Sequence, residues 1–276
     1  MADLVIVGNG FDLAHKMKTS YGDFRNFLID KHPDIVESLE YYSLLEPQKL
    51  WSDFENNLSM LDVDRLSSST FLATQKGKND DEYFSGEDDG ALYFLSGEIG
   101  FIHSWSELVE EWITDHVEIP EDTIFKKQLF NDDNLYLSFN YTETLEYSYG
   151  ISDNRVFHIH GRCGYTTSLL MGHGDRNQIN TVKENIPDYS VEPKRNSIMK
   201  SFLDYLKASF KDVKSIIKEN EQYIELYSSV ENVHIIGFSF NDLDNLSKKL
   251  HANCSSLSLQ IIVSPSFNLI KSSSRK

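Results

Sequence analysis

The chain has 276 residues, enough for one large domain or two small ones, and a hydrophobic fraction of 40% that supports a real core. With 26 Lys and Arg against 43 Asp and Glu, its formal charge is −17. A field of that sign repels phosphate backbones and anionic lipid, so nucleic acid and membrane surfaces are not expected partners, while a local pocket for one small anion is compatible with it.

The opening MADLVIVGNGFD has no basic region and only a short apolar run, so it does not read as a signal peptide. Leu4–Val7 is an apolar, largely β-branched run stopped by Gly8, which suits a buried strand. Phe24, Phe27 and Leu28 share one helix face, and residues 34–62 read as helical, with Trp51, Phe54, Leu58 and Leu61 on one stripe. Residues 66–91 are polar, charged and rich in Gly and Ser, the composition of a mobile loop. A helical pattern returns over 92–117, so 30–130 reads as a mostly helical insertion after the first strand.

Strands are expected at 135–139, 156–160 and 168–172, then a polar stretch at 174–194 and helices at about 195–209 and 211–228. The last strands fall at 233–238 and 259–264, with a helix over 242–252 between them. No apolar stretch approaches the ~20 residues of a bilayer span. The two cysteines, Cys163 and Cys254, cannot make a disulfide framework or a four-cysteine zinc site and read as reduced thiols of a cytoplasmic protein. Alternating strands and helices predict a single α/β domain over 1–276, a Rossmann-like, mainly parallel sheet carrying the helical insertion. In such a sheet the ligand sits beyond the carboxyl ends of the strands.

Four strand ends carry candidate chemistry. Gly8-Asn9-Gly10-Phe11-Asp12 has two glycines that let backbone approach a phosphate, but Leu13 stands where the dinucleotide fingerprint has its third. Ser138-Phe139-Asn140-Tyr141-Thr142 offers Asn140, whose amide both donates and accepts and can orient a water or a sugar hydroxyl; an Asn that merely shapes the turn is the alternative. In Phe157-His158-Ile159-His160-Gly161, alternation puts His158 and His160 on one face, and His160 can act as a base or polariser near neutral pH. A metal set of His158, His160, His173 and Asp175, or hydrogen-bonded core histidines, are the other readings of that stretch. Gly237-Phe238-Ser239 ends the fourth strand, with Ser239 able to reach a phosphate or ribose and Asp242 placed to cap the next helix.

GNGFDLAHKMKTSYGDF, WSDFENNL, SFNYTETLE, HIHG and IIGFSFNDLD, in that order, resemble the motifs of the AbiH family of bacterial phage abortive-infection proteins, over roughly residues 4–245. More distantly the same motifs resemble the sirtuin-like fold: Gly8-Asn9-Gly10 with Asp23-Phe24-Arg25, the strand-end Asn140, the pair His160-Gly161 and Gly237-Phe238-Ser239. That resemblance implies an NAD substrate bound across the strand ends and cleaved at the nicotinamide–ribose bond. It assigns Asn140 and His160 as catalytic, and Gly8, Asn9, Gly10, Phe11, Asp12, Gly237, Ser239 and Asp242 to nucleotide binding. Asp12, directly after the loop, and Glu55, in the WSDFE stretch, are the lesser candidates, with a helix cap and a solvated helix face as their other readings. The chain departs from the sirtuin pattern twice: the four-cysteine zinc module cannot be built, so neither zinc nor protein deacetylation is expected, and Tyr141-Thr142 stands where sirtuins follow the Asn with an Asp.

Two rival readings remain open. One is a sensor that holds a nucleotide or ADP-ribose derivative without turnover. The other is a metal-dependent hydrolase or nuclease built on the histidine cluster. The expected partner is a small-molecule nucleotide, and restraint of a lethal activity points to a homo-oligomer or a regulatory partner chain.

Overall fold

The computed structural model describes residues 2–66, 68, 105–125, 128–165, 169–230 and 232–237, together with the backbone of strands at 258–262 and 270–271. The chain forms two compact units. The first comprises residues 1–20, 110–170 and 213–276, and the second 21–109 and 171–212.

The first unit is built on a six-stranded sheet. In chain order its strands are β1 (Leu4–Val7), β2 (Leu135–Ser138), β3 (Val156–His158), β4 (Asn232–Ile236), β5 (Ser258–Ile262) and β6 (Ile270–Lys271). They lie in the order β3-β2-β1-β4-β5-β6, with β1 to β5 parallel and β6 antiparallel to β5. This is the doubly wound order, a Rossmann-like α/β fold. All four residues of β1 are buried, which is why it reads as an unbroken apolar run and not as an alternating one. Leu4 and Ile6 pack on one face with Leu137, Val233 and Ile235, and Val5 and Val7 on the other with Tyr136 and Ile236.

The chain leaves β1 on one side towards β2 and β3, then returns to β4 on the other side. The reversal puts the topological switch point between the ends of β1 and β4, and sheets of this class bind ligands beyond such strand ends. The ladders are in register there: Val7 faces Ser138 and Ile236, and Ser138 faces His158. Four strands therefore stop at one level.

The second unit is helical, with helices at Tyr21–Lys31, Pro33–Tyr42, Pro47–Ser52, Arg176–Glu184 and Pro193–Ala208 and a single turn at Phe54–Asn57. The expected stripe forms its centre. Trp51 stacks on Phe54 at 4.6 Å between ring centroids, and Trp105 meets Phe54 edge-on at 5.0 Å. Trp105 begins the helix Trp105–His116.

Several boundaries differ from the sequence reading. β3 stops at His158, because Ile159-His160 turn and Gly161 takes a positive φ of 84°. Residues 169–172 form no strand. The stretch 174–194 contains the helix Arg176–Glu184, which its sparse apolar content concealed: within it only Val182 is buried. The segments 69–91 and 92–104, and the helix expected at 242–252, lie outside the described residues. No described helix is long and apolar enough to cross a membrane.

Asp175 caps that helix by accepting a hydrogen bond from the Gln178 N–H at 2.9 Å. Asp175→Ala is expected to lower stability by about 1 kcal/mol and Asp175→Asn by only a few tenths, since asparagine retains the cap. Equal losses in both variants, read by urea unfolding, would point to the charge and not the cap.

Candidate functional site at the strand ends

The helix Asn9–Ala14 starts directly after Gly8, so the first candidate loop is a strand-to-helix turn with almost no slack. Its backbone is pressed against the end of β4. The Gly10 N–H donates to the Gly237 carbonyl at 2.7 Å, and the Gly8 N–H to that of Ile236 at 3.0 Å. A Cβ on Gly10 would come within 2.6 Å of the Gly237 Cα. These two glycines are thus required by chain–chain contact at the switch point. The N–H groups of Gly8, Gly10 and Phe11 are all bonded within the chain, Phe11 to the Gly8 carbonyl at 2.8 Å. Asn9 is exposed, and its amide is tied to the Thr19 carbonyl at 2.7 Å.

Phe11 is fully buried against Phe125, Phe130 and Tyr149, so packing is its role and not ligand contact. His15, one turn on, bonds the Phe11 carbonyl through Nδ1 and the Tyr149 hydroxyl through Nε2, each at 2.8 Å. Burial pushes its pKa down, which keeps the ring neutral.

Asp12 points the other way. It is 1% exposed and accepts hydrogen bonds from the Thr142 hydroxyl at 2.6 Å and the Thr144 hydroxyl at 2.9 Å. Burial pushes its pKa up to about 6, against the opposing pull of those hydroxyls, the Asn140 amide and the nearby His158. A buried carboxyl that titrates near neutral pH just beyond a strand end is the kind of group that marks a functional site.

Asn140 follows β2. Its side-chain N–H2 donates to the Gly8 carbonyl at 3.2 Å, joining the first and second strand ends. Its Oδ1 is buried and has no hydrogen-bond partner among the described residues. Its own carbonyl accepts from His158 Nδ1 at 3.1 Å, and His158 Nε2 lies 2.8 Å from Glu146 Oε1. Both ring nitrogens of His158 therefore face acceptors, so full hydrogen bonding needs a proton on each nitrogen or one on Glu146. Arg162 completes the cluster, 3.1 Å from Glu146 and 3.2 Å from both Glu143 and Asp153, with its guanidinium 3.6 Å above the Tyr165 ring.

The sheet thus brings Gly8, Asp12, Asn140 and His158 into one bonded network. His160 is half-buried and goes elsewhere: its ring meets Phe139 edge-on at 5.2 Å and Tyr141 at 6.3 Å. Because β3 ends at His158, strand alternation does not carry on to His160, and the expected shared face is not formed. His173 donates from Nε2 to the Leu206 carbonyl at 2.9 Å, and its Nδ1 accepts from the Asp175 N–H at 3.1 Å, so both nitrogens are spent on backbone. No group of three or more His, Cys, Asp or Glu that could hold a metal occurs among the described residues. Glu55 belongs to the second unit, where its carboxylate takes the Tyr21 hydroxyl at 2.9 Å and Lys211 at 2.7 Å. Cys163 is buried, and burial aided by Glu110 and Glu143 pushes its thiol up to about 12, far from thiolate reactivity. Ser239 and Asp242 lie outside the described residues.

Sequence reasoning passed over Thr142, Thr144, Glu146 and Arg162. Thr142 and Glu146 fit the pattern of ordinary helix capping, yet the helix Thr144–Tyr149 has no side-chain cap bond at its start. The one available signal was spacing: Asn140, Thr142 and Thr144 alternate through an irregular stretch, and all three turn out to be buried.

A family model described as bacteriophage abortive infection AbiH matches residues 4–262. A search of curated proteins gave no match.

Proposed function

We propose a function from one premise: the chain belongs to the AbiH family of bacteriophage abortive-infection proteins, whose model covers nearly all of it. In this reading the protein is a defence effector that hydrolyses NAD at the nicotinamide–ribose bond. The observation that carries it is the convergence of Asp12, Asn140 and His158 at the ends of β1, β2 and β3, with the Asn140 Oδ1 buried and without a hydrogen-bond partner among the described residues. Strand ends of a doubly wound sheet that carry a few polar groups are where folds of this class bind nucleotides. The more distant sirtuin-like resemblance supplies the particular substrate.

The chemistry is within reach of these residues. Cleavage of the nicotinamide–ribose bond passes through an oxocarbenium-like state, and the leaving group is neutral, so no strong general acid is needed. The protein has to position the ribose, polarise a hydroxyl and place a water. Asn140 would place the water or a ribose hydroxyl, and His160, the base by the sirtuin-like resemblance, would have to reach that oxygen from its place beside Phe139 and Tyr141. Asn9, the exposed residue of the first turn, and Ser239 would meet ribose or phosphate.

The test is incubation of purified protein with NAD, following nicotinamide and ADP-ribose by chromatography. Turnover by the wild type is expected, with a loss of at least 100-fold in Asn140→Ala and about 100-fold in His160→Ala, the usual scale for a positioning group and a general base. Saturable ADP-ribose binding without turnover would favour the sensor reading. Absence of both would overturn the choice of ligand.

A further inference from the structure

The protons on His158 can be placed from the groups around it. Its side chain is 8% exposed, and both ring nitrogens are engaged, Nδ1 with the Asn140 carbonyl at 3.1 Å and Nε2 with Glu146 Oε1 at 2.8 Å. A carbonyl oxygen only accepts, so Nδ1 must carry a proton. The same Glu146 oxygen takes the Arg162 Nη1–H at 3.1 Å. A guanidinium is always charged, so its partner at that distance is the carboxylate, which also only accepts. Nε2 must then carry a proton as well. Of the two arrangements that satisfy the ring, a proton on each nitrogen or one on Glu146, Arg162 selects the first. The charges agree: Arg162 faces three carboxylates, Glu143, Glu146 and Asp153, and a second cation at His158 brings this half-buried cluster closer to balance.

We propose that His158 is an imidazolium that latches the strand ends together, and that raising the pH opens the latch. Its two N–H groups tie the last residue of β3 to the backbone just past β2 and to the helix Thr144–Tyr149. The connection held between them, residues 139–143, carries Thr142, which bonds Asp12. A neutral imidazole has one N–H for two acceptors, so one bond breaks and a lone pair is left against an oxygen. The order of the strand ends is therefore present while the ring keeps its second proton and is lost as pH rises through its release. The charged groups that face the ring are Glu146 from that helix, Asp12 from the helix Asn9–Ala14 and Asp153 from the turn before β3, with Arg162 and Glu143 one contact further out. No ring nitrogen is free for a substrate or a metal, so His158 positions and does not react. The latch does not rest on the nucleotide reading: it governs the order of the strand ends whatever ligand they take.

The experiment follows the histidine rings of the whole 15N-labelled chain by long-range 1H–15N spectroscopy. His158 is identified by the signal lost in His158→Gln or, should that variant not fold, by through-space contacts with Glu146. At neutral pH its two nitrogens should show nearly equal shifts, both bonded to hydrogen, and as pH rises they should split widely when one gives up its proton. Over the same range the Asn140 N–H, bonded to Ser138 Oγ at 3.2 Å, and the Cys163 N–H, bonded to the Tyr141 carbonyl at 2.9 Å, should lose protection against exchange. Measured against the intrinsic rate at each pH, the loss should be about tenfold, the scale of one lost hydrogen bond. In Glu146→Gln, whose amide can accept from Nε2 or donate to it, the split should occur at a proton concentration about tenfold higher, because a charge-assisted bond to the imidazolium is gone. A wild-type ring with one bare nitrogen at neutral pH would overturn the proposal and place the shared proton on Glu146. So would a split that leaves exchange at Asn140 and Cys163 unchanged, since the proton would then hold nothing, or a midpoint that Glu146→Gln does not move. The first two outcomes need no folded variant.

Discussion

Gly237→Ala is expected to destabilise the sheet unit by at least about 3 kcal/mol, enough to prevent accumulation of soluble protein. Two effects add. Gly237 has a φ of 63°, in the left-handed region where any side chain is strained by about 1–2 kcal/mol. A Cβ there would also fall inside the backbone of Gly10 and Phe11, and main chain in a bonded strand-to-helix turn cannot step aside. Gly150→Ala separates the terms. Its φ of 68° is nearly the same, but a Cβ there meets nothing within 4 Å, so only the strain of about 1–2 kcal/mol is expected. Thermal and denaturant unfolding followed by circular dichroism gives both values. If Gly237→Ala were no worse than Gly150→Ala, the close approach of the two turns at the switch point would be wrong.

That contact also bears on how much could be read from the chain alone. The strands at Leu4–Val7, Leu135–Ser138 and Asn232–Ile236 were legible because short, strongly apolar runs bounded by glycine or polar turns have few other uses. Their shared level followed from the expectation of a parallel sheet. The glycines themselves were legible as points of close approach, but not as to what approaches: Gly10 and Gly237 approach each other, through a partner 227 residues away in sequence. The polar network was hidden for the same reason. Thr142 sits 130 residues from Asp12 and Thr144 sits 132, and local sequence assigns such threonines to the start of a helix. His158 and His160 show the limit of alternation, which holds only while the strand does. Gly161, with its positive φ, marks the turn that had already taken His160 out of the ladder.

Asp12 joins stability to function in a way that can be measured. In the folded protein its carboxyl titrates at about 6, against 3.8 for the unperturbed group. Between these two pH values the native state holds a proton that the unfolded chain has lost, so stability falls as pH rises through that window. Below the lower value the group contributes no penalty. Above the upper one the penalty is complete, at ~3 kcal/mol for a shift of this size. Asp12→Asn carries no such titration. The stability of the variant relative to wild type should therefore rise by ~3 kcal/mol from about pH 4 to pH 7, while other titrating groups cancel in the difference. Urea unfolding of both proteins at a series of pH values would show it. A difference that stays flat with pH would mean that the burial of Asp12 is relieved by water or by a proton shared within the network. The expected rise carries a functional meaning. The ionised carboxylate is retained at a cost where asparagine would fit the same space, and such a cost is characteristic of groups kept for activity. The same variant should therefore be the more stable protein at neutral pH.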